Sequence, residues 1–148
     1  MMRLAKLFGV LGVILAAAAA SGAVRLLHLD IHVHETYFAF SPNLVLWFCS
    51  LTSINFAILY WAADKFAPAR WSRALGFAHF VLFSLFTVLF TVLAIGVGGG
   101  NSAHPEAMRW IVIPWFLGIL SFVLGLALFF VNLTLTLIRT ARARLTAH

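Results

Sequence analysis

Long apolar runs alternate with short polar segments along this chain of 148 residues. Each run is near or above the ~20 residues that an α-helix needs to cross a bilayer. The runs cover approximately Leu7–Leu27, Asn43–Ala63, Ala74–Val97 and Trp110–Ile138. This pattern predicts an all-α membrane protein, a single domain with four transmembrane helices. An even number of crossings would place both chain ends on one side of the membrane.

The first run has two interpretations. Arg3 and Lys6 precede it, and small residues between Ala19 and Ala23 match the cleavage region of a signal peptide. A run of this length also suits a membrane helix. We expect it to be retained as the first helix.

Small and hydroxyl residues recur at helical spacing in the other three runs. The second helix is predicted to start at Ser41-Pro42, an N-cap residue followed by proline at the first helical position. Because no charged side chain lies deep in any run, these small faces indicate close helix packing and not a substrate path. They consist of Ser50, Ser53 and Ala57, then Ser84, Thr87 and Thr91, and finally Gly118, Ser121 and Gly125.

Composition and charge support a membrane location. The chain is 64% hydrophobic and only 9% charged, which is far from soluble composition. Its net charge of +6 is spread over the connecting segments, so the expected partners are the lipid bilayer and other membrane subunits and not nucleic acid. The positive-inside rule then predicts cytoplasmic termini in a bacterial inner (cytoplasmic) membrane. The inner side carries Arg3, Lys6, Lys65, Arg70, Arg73, Arg139, Arg142 and Arg144, and the outer side carries Arg25 and Arg109.

Polar chemistry is concentrated in the outer segment Leu26–Pro42, LLHLDIHVHETYFAFSP. Its candidate metal ligands fall at every second position and are His28, Asp30, His32 and His34. A short strand-like backbone would place them on one face. Such an imidazole-rich set suits copper or zinc better than magnesium. The alternative is a polar strand in the headgroup layer with solvated histidines.

Three other polar residues are candidates for a role. His104 and Glu106 belong to the second outer connection, where they either complete the first site or flank Pro105 in a solvated loop. His79 lies near the inner end of the third run, where it could serve haem binding or proton relay. We interpret His79 as a structural histidine that is hydrogen-bonded to a neighbouring helix.

The run His34-Glu35-Thr36-Tyr37-Phe38 resembles the His-Asp-Thr-Tyr-Tyr run that precedes the tenth membrane helix in the large catalytic subunit of the haem-copper oxidases, the family of cytochrome c oxidase. The similarity continues through Leu59-Tyr60-Trp61 and Lys65 to Ala74-Leu75-Gly76 and His79-Phe80. The stretch from Asp30 to near Thr140 therefore resembles the last three helices of that subunit.

The chain departs from this family at the metal centres. The family continues with Ala-His-Phe-His, whose histidines are axial ligands of the two haems, whereas this chain has Ser41, Pro42, Asn43 and Leu44. Neither Pro42 nor Leu44 can ligate iron, and the family's earlier helices with the copper ligands have no counterpart. The resemblance thus implies no haem and no oxygen reduction by this chain alone. It also implies that His34 and Glu35 could hold the family's non-redox magnesium ion.

Three functions are left open by the sequence. The first is a non-catalytic subunit, a truncated relative of the oxidase subunit that packs in a larger respiratory or related membrane complex. The second is a copper- or zinc-binding protein that uses the outer segment 28–35. The third is a subunit that contributes His34, Glu35 and Tyr37 to an active site shared with a partner chain. No acid–base pair or activated nucleophile predicts an enzyme on its own.

Overall fold

The computed structural model of the protein describes residues 2–22, 29–33, 36–66, 71–98 and 105–145. Its four helices are α1 Met2–Ala20, α2 Pro42–Phe66, α3 Arg73–Gly98 and α4 Pro105–Leu145. Two short strands, β1 Leu29–Val33 and β2 Thr36–Phe40, lie between α1 and α2 in the chain. All four helices are long and apolar enough to cross a membrane, in agreement with the predicted four-helix membrane protein.

The helices differ from the predicted runs at their ends. α2 begins at Pro42, as the Ser41-Pro42 pair predicts. α1 begins near the N-terminus and includes Arg3 and Lys6, because both are good helix formers even though they are charged. α4 continues past Ile138 to Leu145, so its 41 residues span about 60 Å, roughly twice the hydrocarbon thickness of a bilayer.

A serine and a glycine end α1 at Ala20. Ser21 donates a hydrogen bond from its Oγ to the Ala18 carbonyl oxygen at 2.7 Å, which satisfies one of the free carbonyls of the last turn. Gly22 follows with a φ of 71°, the left-handed conformation that terminates many helices. The remainder of the predicted first run, residues 23–27, lies outside the described residues.

The backbone of β1 pairs antiparallel with that of β2. In this register Asp30 stands opposite Ala39, and His32 stands opposite Tyr37. Whereas the sequence predicted one strand-like segment here, the structure has a pair of strands. β1 also lies beside α3.

Two serines of α2 join it to α1. Ser50 donates from its Oγ to the Gly12 carbonyl oxygen at 2.8 Å, and Ser53 donates to the Phe8 carbonyl oxygen at 2.7 Å. The helices approach so closely that a Cβ atom at Gly12 would lie 3.2 Å from the Ser50 carbonyl oxygen and 3.3 Å from the Ile54 nitrogen. The face predicted at Ser50 and Ser53 is therefore the packing seam between α1 and α2.

A second seam joins α3 to α4. Gly118 packs against the ring of Phe90, and Gly125 packs against His79. Farther along α4, Asn132 accepts a hydrogen bond from the Ser72 nitrogen at 3.0 Å and donates one to the Ser72 carbonyl oxygen at 2.9 Å. The Asn132 side chain thus holds the peptide that leads into α3.

Replacing Gly12 with alanine should weaken the α1–α2 seam. The new Cβ would press on the backbone of α2, so we expect Gly12→Ala to lower the free energy of unfolding by about 1–3 kcal/mol. Unfolding by SDS in mixed micelles, followed by circular dichroism, measures this change.

Gly9→Ala is the matched control. Among the described residues a Cβ at Gly9 would meet only the Ala57 Cβ, at an ordinary 3.8 Å. The free energy of unfolding of Gly9→Ala should therefore stay within about 0.5 kcal/mol of that of the original protein. Equal effects of the two substitutions would contradict the close approach at Gly12.

Candidate functional site

A buried hydrogen bond between two polar side chains joins α2 to α3. The Tyr60 hydroxyl and the His79 Nδ1 share a hydrogen bond of 2.8 Å, and the two residues are 0% and 1% exposed. In an apolar environment each of these groups needs a partner. The hydrogen bond gives one partner to the Tyr60 hydroxyl and one to the Nδ1 of His79.

All four helices surround this pair. Phe8 of α1 stacks on Tyr60 with ring centroids 5.4 Å apart. Phe56 of α2 meets His79 edge to face at 4.4 Å, and Phe129 of α4 lies 5.5 Å from the imidazole. We call these five residues the aromatic cluster. Because each helix contributes at least one ring, the cluster ties the two helix pairs together.

Glycines bring α3 and α4 close to the pair. A Cβ at Gly125 would lie 3.3 Å from the His79 Cδ2, and a Cβ at Gly76 would lie 3.4 Å from the Tyr60 Cε1. Within the part of the chain that the structure describes, the buried Nε2 of His79 and Nε1 of Trp71 have no hydrogen-bond partner. The packing of rings against His79 suits the structural role that we predicted for it.

Pro42 and Leu44, the two residues that the resemblance aligns with haem ligands, do not fit a haem. Pro42 is the first residue of α2, and its side chain has no lone pair to offer iron. Leu44, in the same turn, is 66% exposed and purely apolar. No reaction step through a haem follows from these residues.

Most of the outer metal-ligand candidates lie beyond the described part of the chain. This holds for His28, His34, Glu35 and His104. Asp30 and His32 lie in β1, Tyr37 in β2 and Glu106 in α4, each described for its backbone alone. Among the residues whose side chains the structure describes, no three His, Cys, Asp or Glu side chains come together. The metal site remains a prediction.

The sequence analysis did not predict the buried hydrogen bonds of Tyr60 and Asn132. Tyr60 continues the spacing of Ser53 and Ala57 along α2, so extending that seam by one turn would have found it. Asn132 likewise continues the α4 seam, two turns beyond Gly125. In both cases periodicity indicates the buried face, but it does not identify the partner.

Comparison with family models, with curated proteins and with solved structures found no match for this chain.

Removing the Tyr60 hydroxyl should destabilise the fold. Tyr60→Phe keeps the ring but leaves the Nδ1 of His79 buried without its partner, so we expect a loss of about 1–3 kcal/mol in the free energy of unfolding. SDS unfolding in mixed micelles measures it.

The control is a double-mutant cycle with His79→Leu. Once the imidazole is gone, the hydroxyl has no partner to lose, so the effect of Tyr60→Phe should shrink in the His79→Leu background. Strictly additive effects would mean that the hydrogen bond contributes nothing to stability.

Proposed function

We propose that the protein is a non-catalytic integral membrane subunit of a larger respiratory or related membrane complex, resembling a truncated haem-copper oxidase large subunit. The observation that carries the proposal is Leu44. At the position that the resemblance aligns with a haem-ligating histidine, Leu44 has an exposed apolar side chain. That chemistry suits lipid or a neighbouring subunit, and it does not suit iron.

The packing inside the chain supports the same proposal. The three helices that resemble the oxidase are joined by specific contacts, the Tyr60–His79 hydrogen bond between α2 and α3 and the Asn132–Ser72 hydrogen bonds at the start of α3. These contacts preserve a helical scaffold independently of any bound haem. A scaffold without redox ligands fits a subunit that positions or stabilises its neighbours.

The proposed orientation has both termini in the cytoplasm of a bacterial cell. It is supported by the basic residues at the inner helix ends, among them Lys65 at the end of α2 and Arg139 and Arg142 near the end of α4. The outer segment between α1 and α2 then faces away from the cytoplasm.

Gentle extraction of a C-terminally tagged chain from its native membranes tests the proposal. We expect other membrane subunits to co-purify in fixed ratio, and the same chain expressed alone to give no haem band in a reduced-minus-oxidised spectrum. In intact spheroplasts, added protease should leave the tag uncut. A chain recovered without other subunits, or a haem band from the isolated chain, would contradict the proposed role.

A second candidate function is metal binding at the outer face. It is favoured by the extended backbone of Leu29–Val33, which is the conformation that the alternation of His28, Asp30, His32 and His34 requires. The metal would be copper or zinc, held by imidazole and carboxylate ligands.

Substituting His28, His32 and His34 together by alanine should abolish retention of copper or zinc if this second function is correct, since the site would lose its imidazoles. Metal analysis of the purified protein measures the loss, and His148→Ala serves as the control histidine substitution. A membrane-impermeant chelator should strip the metal from intact spheroplasts. Unchanged metal content in the triple variant would exclude the site.

A further inference from the structure

An exposed carboxamide lies at the middle of the second membrane span. The span runs from Asn43 to Phe66, and Asn55 stands at its centre and is exposed on the surface of the helix bundle. Trp47 and Trp61 lie about 12 Å and 9 Å from it along the helix axis. Asn55 therefore lies deep in the hydrocarbon region of the bilayer.

The hydrogen bonds of this side chain are incomplete. Asn55 donates from its Nδ2 to the Leu51 carbonyl oxygen at 3.0 Å, within its own helix. A carboxamide has two N–H groups and an accepting oxygen, so in the described structure one N–H and the Oδ1 of Asn55 are left over. Lipid tails can satisfy neither group.

Asn132 shows how the same side chain is used inside the bundle. It is fully buried, and its carboxamide both accepts from and donates to Ser72. Asn55 has the same two capabilities but points away from the chain's own helices. No other residue in the described part of the chain satisfies its remaining N–H and Oδ1, which points to a partner from outside the chain.

Large apolar side chains surround Asn55 on this face of α2. Leu51 and Ile58, one turn away on either side, are 57% and 56% exposed, and Phe48 and Leu59 are also exposed. We call this surface the Asn55 face. It has the composition of a helix-packing surface with one polar group at its centre.

We propose that the Asn55 face binds a second copy of this chain, as a symmetric dimer in which the two Asn55 carboxamides hydrogen-bond to each other. This inference goes beyond the proposed function and does not depend on it. Two copies inserted in the same direction are related by a two-fold axis along the membrane normal, so identical residues meet at identical depth. A second Asn55 then supplies one donor and one acceptor where the first lacks them.

Self-complementarity favours a second copy over a different protein. A carboxamide can give and accept one hydrogen bond with its own symmetry mate, which satisfies both leftover groups at once. A different chain would need its own carboxamide, or an equivalent donor–acceptor pair, at the same depth. A second copy carries the same carboxamide at the same depth, because it has the same sequence.

Dimerisation can be measured by energy transfer between C-terminally labelled copies in liposomes at varied protein-to-lipid ratio. We expect Asn55→Leu to weaken association about tenfold, in the range of interhelical hydrogen bonds in membranes, and Asn55→Gln to retain most of it. Thr134→Val, which alters an exposed polar residue of α4, is the matched control and should leave association unchanged. A monomeric original protein, or equal association with Asn55→Leu, would overturn the proposal.

Disulfide formation provides a test that does not depend on removing Asn55. In a Cys49→Ala background, Leu51→Cys and Ile58→Cys should each form a disulfide between two copies, because both positions flank the two-fold axis. Val88→Cys, which is 57% exposed on α3, should not. Equal cross-linking at Val88, or cross-links from the Asn55 face only to a different protein in native membranes, would contradict the dimer.

Discussion

The hydrogen bond between Tyr60 and His79 is the contact on which the rest of the bundle depends. A hydroxyl and an imidazole in an apolar interior are costly unless they meet each other, so α2 and α3 can adopt only a register that brings them together. Phe8 and Phe129 then cover the pair from α1 and α4. This polar contact thus fixes how the two helix pairs, α1–α2 and α3–α4, meet.

Hydrophobicity cannot select this arrangement by itself. Inside a membrane the lipid tails are as apolar as the side chains, so helices associate through close packing and hydrogen bonds. The chain meets this constraint with Gly12 and Ser50 between α1 and α2, and with Gly118 and Gly125 between α3 and α4. α1 packs mainly on α2 and α3 mainly on α4, and the aromatic cluster connects the two pairs.

The sequence predicted correctly those features that depend on residues within a single helix. The four apolar runs, the start of α2 at Pro42 and the small faces at Ser50 and Gly125 follow from local composition and spacing. The predicted run Leu7–Leu27 extends past the observed end of α1 at Ala20. Apolar residues continue beyond Ala20, whereas the backbone leaves the helical conformation at Gly22. The pairing of β1 with β2 and the partner of His79 depend on contacts between distant segments, which no periodicity encodes. The outer metal-ligand candidates have the same limitation, since alternation along one strand does not establish that the ligands converge.

The Tyr60–His79 contact and the exposed Leu44 side chain occupy opposite ends of α2. Leu44 lies in the first turn, and Tyr60 is sixteen residues farther along, which is about 24 Å of helix. Because the Tyr60–His79 contact makes no use of the first turn, the exposed Leu44 side chain takes no part in the buried core. The same separation leaves the Asn55 face, between the two ends, free to interact with a neighbour.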